Sequence, residues 1–441
     1  MKVYLFLVSL CILIIVGLTA VFCEIYLNKD PMDYQPPMPP EKAQGPFLPG
    51  TGIMPPSGEV IDPNDVEVNV TDDDFIYEKV CKDFANKIFQ ETQQKDNYVV
   101  SPLSIYVALS MASNGCEGST LSEFGNLLCG ESFDQDKLNA YNKALLNNAK
   151  QIQNYEIANS VWVKDEIEKP FINTMKEQFD SGAYELRGAK EINDWVNEKT
   201  KGKIPSIIDR IEPDMIAVLV DAIYFYGKWK IPFNDYFNQI RPFYYENGNT
   251  SMIDYMVANS RGLRFELYDD YKGGDVLELY CKNHVSMYFF LPPKGVKLKD
   301  YAKKIDFNDL KNLKKYNGDA ICIGFIPKFD IAYKLECKDM LEKLGLRKCF
   351  SVNFDEMKKL SKNPNGVYYS EVMHKATIEI DEEGVEATAV TAMGAAPGAV
   401  GPIGPQPVIK EVVFDHPFAF AIVNKSNDTV VFVGEIYNPK I

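Results

Sequence analysis

The sequence predicts an α+β protein in which helices and strands are mixed around large antiparallel sheets. Its 46% hydrophobic and 12% aromatic content over 441 residues can support one large core. Helical and strand periodicities follow one another without the strict alternation that a parallel βαβ protein would show. The last third is almost pure strand, in the segments HKATIEI, VIKEVVF, AFAIVN and TVVFVGEI.

The first residues predict an export signal. Residues 4–22 form an apolar run behind Lys2, which is long for a signal-peptide core and just sufficient for a membrane span. A cleavage site before Glu24 favours a signal peptide over residues 1–23 rather than an uncleaved signal anchor. Either topology exports the remainder. Residues 24–71 are rich in proline and glycine, which predicts a disordered, polyproline-like stalk before a folded domain at 72–441.

Further features agree with a secreted, extracellular glycoprotein. Four Asn-x-Ser/Thr sequons are glycosylation candidates, at Asn69, Asn249, Asn424 and Asn427. Seven cysteines follow the leader, widely scattered and odd in number. A domain of this size needs no disulfide framework, so we expect most of them to be small buried hydrophobes.

The folded domain begins with helices. Aspartates at 72–74 cap a helix whose apolar positions recur every four residues, at Ile76, Val80, Phe84 and Ile88. A short strand over 98–100 leads to Ser101-Pro102, an N-cap with proline at the first helical position. The next helix ends at Gly115, and Thr120-Leu-Ser-Glu123 forms a capping box that opens another.

Strands and helices then alternate irregularly. Strands are predicted at 157–163, 215–227, 275–281 and 285–291, and helices at 192–200 and 298–305. The segment 215–227 is too continuously apolar to be half exposed. It should therefore be central in a sheet with a covered face.

Composition argues against several functions. With 62 acidic and 47 basic residues the formal charge is −15, which disfavours nucleic acid, heparin-like polyanions and anionic lipid. Only His284, His374 and His416 are available, with no Gly-x-Ser-x-Gly, no Cys-x-x-Cys and no phosphate-binding glycine loop. We therefore expect a binder or inhibitor without a metal or cofactor, and no enzyme. An extracellular enzyme with a carboxylate dyad remains the alternative.

The segment between Glu382 and Asp415 has an unusual composition. After Glu386 no charge appears until Lys410, and no proline lies between Gly384 and Ala396. Small or β-branched residues alternate there, which suits a strand with one buried face better than a polar linker, at Val385, Ala387, Ala389 and Thr391. Four prolines follow from Pro397 and would not enter a sheet interior. The segment divides into an insertable half and a non-insertable half.

From residue ~72 to 441 the chain resembles the serpin family of serine protease inhibitors. EGVEA (383–387) is similar to the family's hinge, and FDHPF (414–418) to its C-terminal signature. Further segments match in order, namely SPLSI (101–105), NSVW (159–162), GKI (202–204), LVDAIYFYGKW (219–229), IPKFDI (326–331) and LEKLGL (341–346). The resemblance implies three β-sheets, about nine helices and an exposed reactive-centre loop between sheets A and C.

The resemblance also implies a suicide-substrate mechanism directed at a serine protease. The protease cuts the loop at about 384–410, and the hinge half inserts into sheet A while the enzyme is still acylated. The hinge would comprise Gly384, Val385, Glu386, Ala387, Thr388 and Ala389. The resemblance therefore implies a monomer that forms a covalent complex with its target protease. The alternative within the family is a non-inhibitory carrier or chaperone, against which the small hinge residues argue.

The resemblance implies roles for two further sets of residues, the shutter and the scissile bond. The gating region where sheet A parts, the shutter, maps to Ser101, Ser104, Asp221 and His374. The Asp221 position is usually asparagine in this family, so a charge pair with His374 and an ordinary buried pair both stay open. The scissile bond falls within 395–404, with Ala396, Gly398, Ala399 and Val400 as candidates. These small residues suit an elastase- or subtilisin-like pocket.

Overall fold

Eight α-helices and three β-sheets make up the part of the chain that the computed structural model describes, residues 72–130, 133–150, 155–226, 228–259, 265–363, 366–382 and 408–439. The helices are α1 Asp72–Thr92, α2 Pro102–Ser113, α3 Gly118–Leu128, α4 Gln135–Ala149, α5 Lys169–Phe179, α6 Ala189–Lys199, α7 Leu298–Ala302 and α8 Lys338–Lys343. Short 3₁₀ helices lie at Asp235–Phe237, Phe307–Asn312 and Lys348–Phe350. Within these ranges, no helix is both long and apolar enough to cross a membrane.

Fifteen strands form the sheets in the described residues. They are β1 Tyr98–Val100, β2 Tyr155–Val163, β3 Gly182–Glu185, β4 Ala217–Tyr226, β5 Gln239–Tyr244, β6 Thr250–Asn259, β7 Phe265–Tyr271, β8 Gly274–Tyr280, β9 Val285–Leu291, β10 Ile321–Pro327, β11 Phe329–Glu336, β12 Tyr369–Ile380, β13 Ile409–Val413, β14 Phe418–Asn424 and β15 Thr429–Ile436. A strand or helix lies at each segment predicted from the sequence, and the helix predicted at 298–305 ends earlier, at Ala302.

The strands pair into sheets of five, six and four. Sheet A has the order β11-β12-β4-β2-β3, sheet B the order β1-β15-β14-β9-β8-β7, and sheet C the order β13-β10-β6-β5. The expectation of antiparallel sheets is only partly right, because β12–β4, β2–β3 and β10–β13 pair in parallel. Strands β4 and β12 lie far apart in sequence, and much of sheets B and C intervenes. The returning chain is therefore free to run in the same direction as β4.

Strand β4 is central and covered on both faces, as its apolar run predicts. From Ala217 to Phe225 every side chain is buried. Alternate residues face opposite ways, and Val218 and Val220 pack in one cluster with Ile192 and Val196 of α6. The other set belongs to the main core, where β4 contacts α2. Sheet A is thus sandwiched between α6 and α2.

The first helices show how local signals were confirmed or overruled. Ser101 caps α2 as expected, because its Oγ accepts the N–H of Ser104 over 3.1 Å. The capping box at Thr120 is wrong, since α3 begins at Gly118. There the distant Glu356 accepts from Thr120 N over 2.6 Å and from Ser119 Oγ over 2.8 Å. A carboxylate from another segment does the capping.

The cysteines in the described residues are all free and buried, as predicted. They are Cys81, Cys116, Cys129, Cys281, Cys322, Cys337 and Cys349. Burial raises the pKa of the Cys81 thiol to about 12. A neutral thiol in an apolar setting behaves as a small hydrophobe and resists oxidation.

Candidate functional site

The four shutter residues meet where sheet A lies against the start of α2. In the parallel β12–β4 ladder His374 pairs with Asp221, and in the antiparallel β2–β4 ladder Asn159 pairs with the same aspartate. Side chains directly opposite each other in neighbouring strands point to the same face. That face meets α2, which brings Ser101 and Ser104 to the three strand residues. All five residues are buried.

Asp221 accepts three hydrogen bonds within this cluster. Nδ1 of His374 lies 2.8 Å from Oδ2, and the hydroxyl of Ser104 donates to Oδ1. With its amide nitrogen turned toward the carboxylate, Asn159 also donates to Oδ1, over 3.0 Å. The carboxylate is only 1% exposed, so these donors replace its hydration. Asp221 therefore ties β2, β12 and α2 to β4.

The opposite nitrogen of His374 fixes the state of the ring. The backbone N–H of Ser101 donates to Nε2 over 3.1 Å, so Nε2 must carry a lone pair. The ring proton then sits on Nδ1 and points at Asp221. Ser101 itself is held by its hydroxyl, which donates to the carbonyl of Val431 in sheet B over 2.6 Å. A neutral histidine thus links the middle of sheet A to sheet B through α2.

Beyond β12 the chain is anchored by a second polar group. Trp229 Nε1 donates to the carbonyl of Asp381 over 2.7 Å. Glu382 accepts from Lys328 Nζ over 2.8 Å and from the amide of Asn238. Burial opposes ionisation of Glu382, but these donors outweigh it and lower the pKa of that carboxyl. This cluster holds the point at which the chain leaves sheet A.

The predicted reactive loop joins two sheets. It leaves β12 of sheet A after Glu382 and reaches β13 of sheet C at Ile409. The hinge Gly384, Val385, Glu386, Ala387, Thr388 and Ala389, and the scissile candidates Ala396, Gly398, Ala399 and Val400, lie outside the described residues. Their roles stay predictions.

The glycosylation candidates fall in different environments. Asn249 is exposed in the turn between β5 and β6. Asn424 ends β14 with 5% of its surface exposed, and its Oδ1 accepts the N–H of Ser426 over 3.0 Å. Asn424 is therefore less accessible than Asn249, and glycosylation at either position stays a prediction. Asn427 is half-buried and accepts the N–H of Thr429 over 3.2 Å, and Asn69 lies outside the described residues.

A cavity of about 500 Å³ beside sheet C is lined by two acidic residues, as a carboxylate dyad would require. Its two acidic residues are Glu246 and Asp415. Glu246 accepts the N–H of Leu298 over 3.0 Å, and Asp415 lies 2.7 Å from His416 Nδ1. The other ring nitrogen of His416 lies 2.9 Å from a backbone carbonyl oxygen. Both carboxylates are thus engaged in structural contacts, which lends no support to the enzyme alternative.

Sequence reasoning missed part of this arrangement. Asn159 was visible in the NSVW segment, and its place opposite Asp221 depends on the β2–β4 register. Lys328 and Asn238 gave no local signal, because their common partner Glu382 lies 54 and 144 residues away. Only the assembled sheets bring them together.

Comparison with known proteins identifies relatives over most of the chain. The family described as Serpin (serine protease inhibitor) matches residues 79–439. Serine protease inhibitor 42Dd of Drosophila melanogaster is 31% identical over 367 residues, covering 80% of this chain and 94% of that protein. Serpin A3-2 of Bos taurus is 29% identical and covers 81% and 88%.

Solved structures similar to this chain belong to the same family. The thermophilic serpin tengpin in its native state superimposes with a TM-score of 0.73 at 27% identity, covering 84% of this chain and 96% of tengpin. Serpin48, described as a highly specific serpin of the insect Tenebrio molitor, gives a TM-score of 0.71 at 25% identity, covering 84% and 100%.

Proposed function

Because the chain belongs to the serpin family, we propose that it is a secreted inhibitor that traps a serine protease as an acyl-enzyme and inserts its own cleaved loop into sheet A. The family's members are generally protease inhibitors rather than enzymes. The target class, the export and the insertion step are the parts proposed for this chain.

The observation that carries the proposal is the parallel pairing of the two central strands of sheet A. Strands β12 and β4 run in parallel from Glu371–Val218 to Glu379–Tyr226. The hinge follows β12 directly, so a hinge that folded back would run antiparallel to β12 and equally to β4. One inserted strand would replace a parallel ladder by two antiparallel ones. The net gain is one ladder, at about 1 kcal/mol for each hydrogen bond.

The shutter stands in the path of that strand. The His374–Asp221 contact spans β12 and β4 from the two sides of the gap that insertion would open. Opening must therefore break or extend it, together with the bonds through Ser101 and Ser104. A closed shutter keeps the uninserted form in place until cleavage frees the hinge. We infer that these residues gate insertion.

The covalent step is supplied by the target. The protease serine oxygen attacks the scissile carbonyl, the C–N bond breaks, and the new amine takes the proton from the protease histidine. An ester then joins the two proteins. Small residues from Ala396 to Val400 favour an elastase- or subtilisin-like enzyme over trypsin. A metalloprotease forms no acyl intermediate and should cut the loop without being trapped.

We test the function with a panel of elastase, subtilisin, trypsin and a metalloprotease. We expect a complex stable to denaturing gels with elastase or subtilisin and a poor reaction with trypsin. A panel that yields no such band overturns the inhibitory assignment and favours the carrier alternative. A trapped metalloprotease would contradict the acyl mechanism.

A substitution in the hinge distinguishes inhibition by loop insertion from simple binding of the protease. Ala389→Pro removes a ladder donor and opposes insertion by ~3 kcal/mol or more, by analogy with proline in regular structure. The loop would still be cut, but the variant should release active protease and gain no heat stability. Ala389→Thr keeps the N–H and suits a strand, so it is the matched control. Inhibition by Ala389→Pro at the parent's stoichiometry would rule out insertion.

Export and association complete the proposal. The apolar leader and the sequons support secretion, with residues 4–22 as an anchor in the alternative. The −15 charge supports a protein that binds neither nucleic acid nor heparin. We propose a monomer whose partner is its target protease. Gel filtration and a heparin column test both points.

A further inference from the structure

Sheet C carries an exposed apolar surface at its free edge. Tyr236 is 85% exposed, Ile240 70%, and Phe237 and Met252 58% each. Soluble monomers seldom leave large apolar side chains this open in one place without a use for them. We call these four residues the sheet C patch.

The patch consists of two neighbouring pairs, one in the β5–β6 ladder and one in the 3₁₀ helix that contacts β6. Ile240 pairs with Asp254 and Pro242 with Met252 in the β5–β6 ladder, so Ile240 and Met252 are diagonal neighbours on one face. Tyr236 and Phe237 precede β5 in a 3₁₀ helix that contacts β6, with their rings 5.5 Å apart in an edge-to-face arrangement. Paired rings lose little entropy when a partner covers them.

The patch adjoins the root of the reactive loop. Asn238 lies between Phe237 and β5, and its amide donates to Glu382, the last described residue before the loop. The same amide lies 3.3 Å from Asp254, which also holds Lys328 at 2.7 Å. The patch is thus fastened to the point where the loop leaves the body.

We propose that the sheet C patch is a docking surface for the body of the target protease while its active site holds the loop. This inference rests on the proposed function. A specific interface commonly covers about 20–30 residues a side, more than a loop held in a cleft supplies. Aromatic residues at an exposed, ordered position are typical binding hot spots. The partner surface would be apolar, with a basic group facing the exposed Asp235 at the rim of the patch.

A second copy of the chain fits the patch less well. Strand β5 is the outer strand of sheet C, and Pro242 lacks the N–H that strand addition would use. Arg241 is held 3.1 Å from Glu411 and over the ring of Phe325, which occupies the other face. These features oppose edge-to-edge pairing and leave the apolar face for a partner that binds side chains.

The test compares rates with a protease that the parent traps in the panel above. In the patch variant, Tyr236→Ser is combined with Ile240→Thr, and Val352→Ser is the control, because Val352 is 55% exposed in a loop outside the patch. We expect the patch variant to form the acyl complex at least about tenfold more slowly, with unchanged stoichiometry. The control should react like the parent.

Equal rates for parent and patch variant would overturn the proposal while the inhibitory function stands. A parent that traps no protease overturns both. If instead the patch variant loses a dimer seen by sedimentation and keeps its rate, the occupant is a second copy and the proposal is wrong. Thermal unfolding at the parent's midpoint establishes that the variants are folded.

Discussion

Replacement of Asp221 by alanine should destabilise the protein more than any other single change at the shutter. The carboxylate is 1% exposed and accepts from His374, Ser104 and Asn159. Each buried donor that loses its partner costs about 1–3 kcal/mol, and the three are not additive because they share one network. We expect Asp221→Ala to lower the free energy of unfolding by about 3–5 kcal/mol.

Asp221→Asn should be much milder. Its remaining oxygen can accept from His374, and its new N–H₂ group finds an acceptor if the Asn159 amide turns over and the Ser104 hydroxyl rotates. His374 cannot exchange its donor nitrogen without opposing the N–H of Ser101. We therefore expect a loss below ~1.5 kcal/mol. Asn159→Asp alone puts two carboxylates together, and combining it with Asp221→Asn should recover stability in a double-mutant cycle.

Urea unfolding followed by tryptophan fluorescence measures these changes, with the buried Trp162 and Trp229 as probes. Asp330→Ala, on the exposed side of β11 in the same sheet, is the control and should stay within about 0.5 kcal/mol of the parent. An Asp221→Ala protein that unfolds within 1 kcal/mol of Asp221→Asn, by the ~1 kcal/mol scale of one bond, would refute the three-donor account.

Three further predictions concern other parts of the chain. Burial raises the pKa of Glu435 to about 7, so its protonated form stabilises the fold below pH ~4.5 and this contribution, about 3 kcal/mol, is lost as pH rises through 7. Glu435→Gln cannot titrate, so the free energy of unfolding of the parent minus that of the variant should fall between pH ~4.5 and 7; two parallel curves would contradict this. Hydrogen bonds from Thr120 and Ser119 lower the pKa of Glu356 to about 2, so Glu356→Ala should speed amide exchange at Thr120, while unchanged exchange would deny the cap. In protein secreted from eukaryotic cells, Asn249→Gln should shed a glycan seen by mass spectrometry and Asn424→Gln should not; the reverse pattern would refute the burial argument.

Local patterns in the sequence predicted the main helices and strands. Apolar periodicity placed α1 and β4, and the Ser101-Pro102 cap placed α2, because these signals are local and strong. The absence of charge and proline after Glu386 predicts an insertable half of the loop from composition alone, and this stays a prediction. The matching segments and their order predicted membership of the serpin family, which the comparisons confirm.

Features that depend on strand register, or on partners distant in sequence, became visible only in the folded chain. Helix α3 begins at Gly118, where the distant Glu356 caps it. A capping-box motif, which uses only residues close in sequence, could not reveal this. The ring state of His374 follows from Ser101, 273 residues away. Most of all, the parallel direction of β12 beside β4 is a property of how the intervening chain returns. Alternation within a strand reports which side is buried, and it carries no information on the direction of the neighbouring strand.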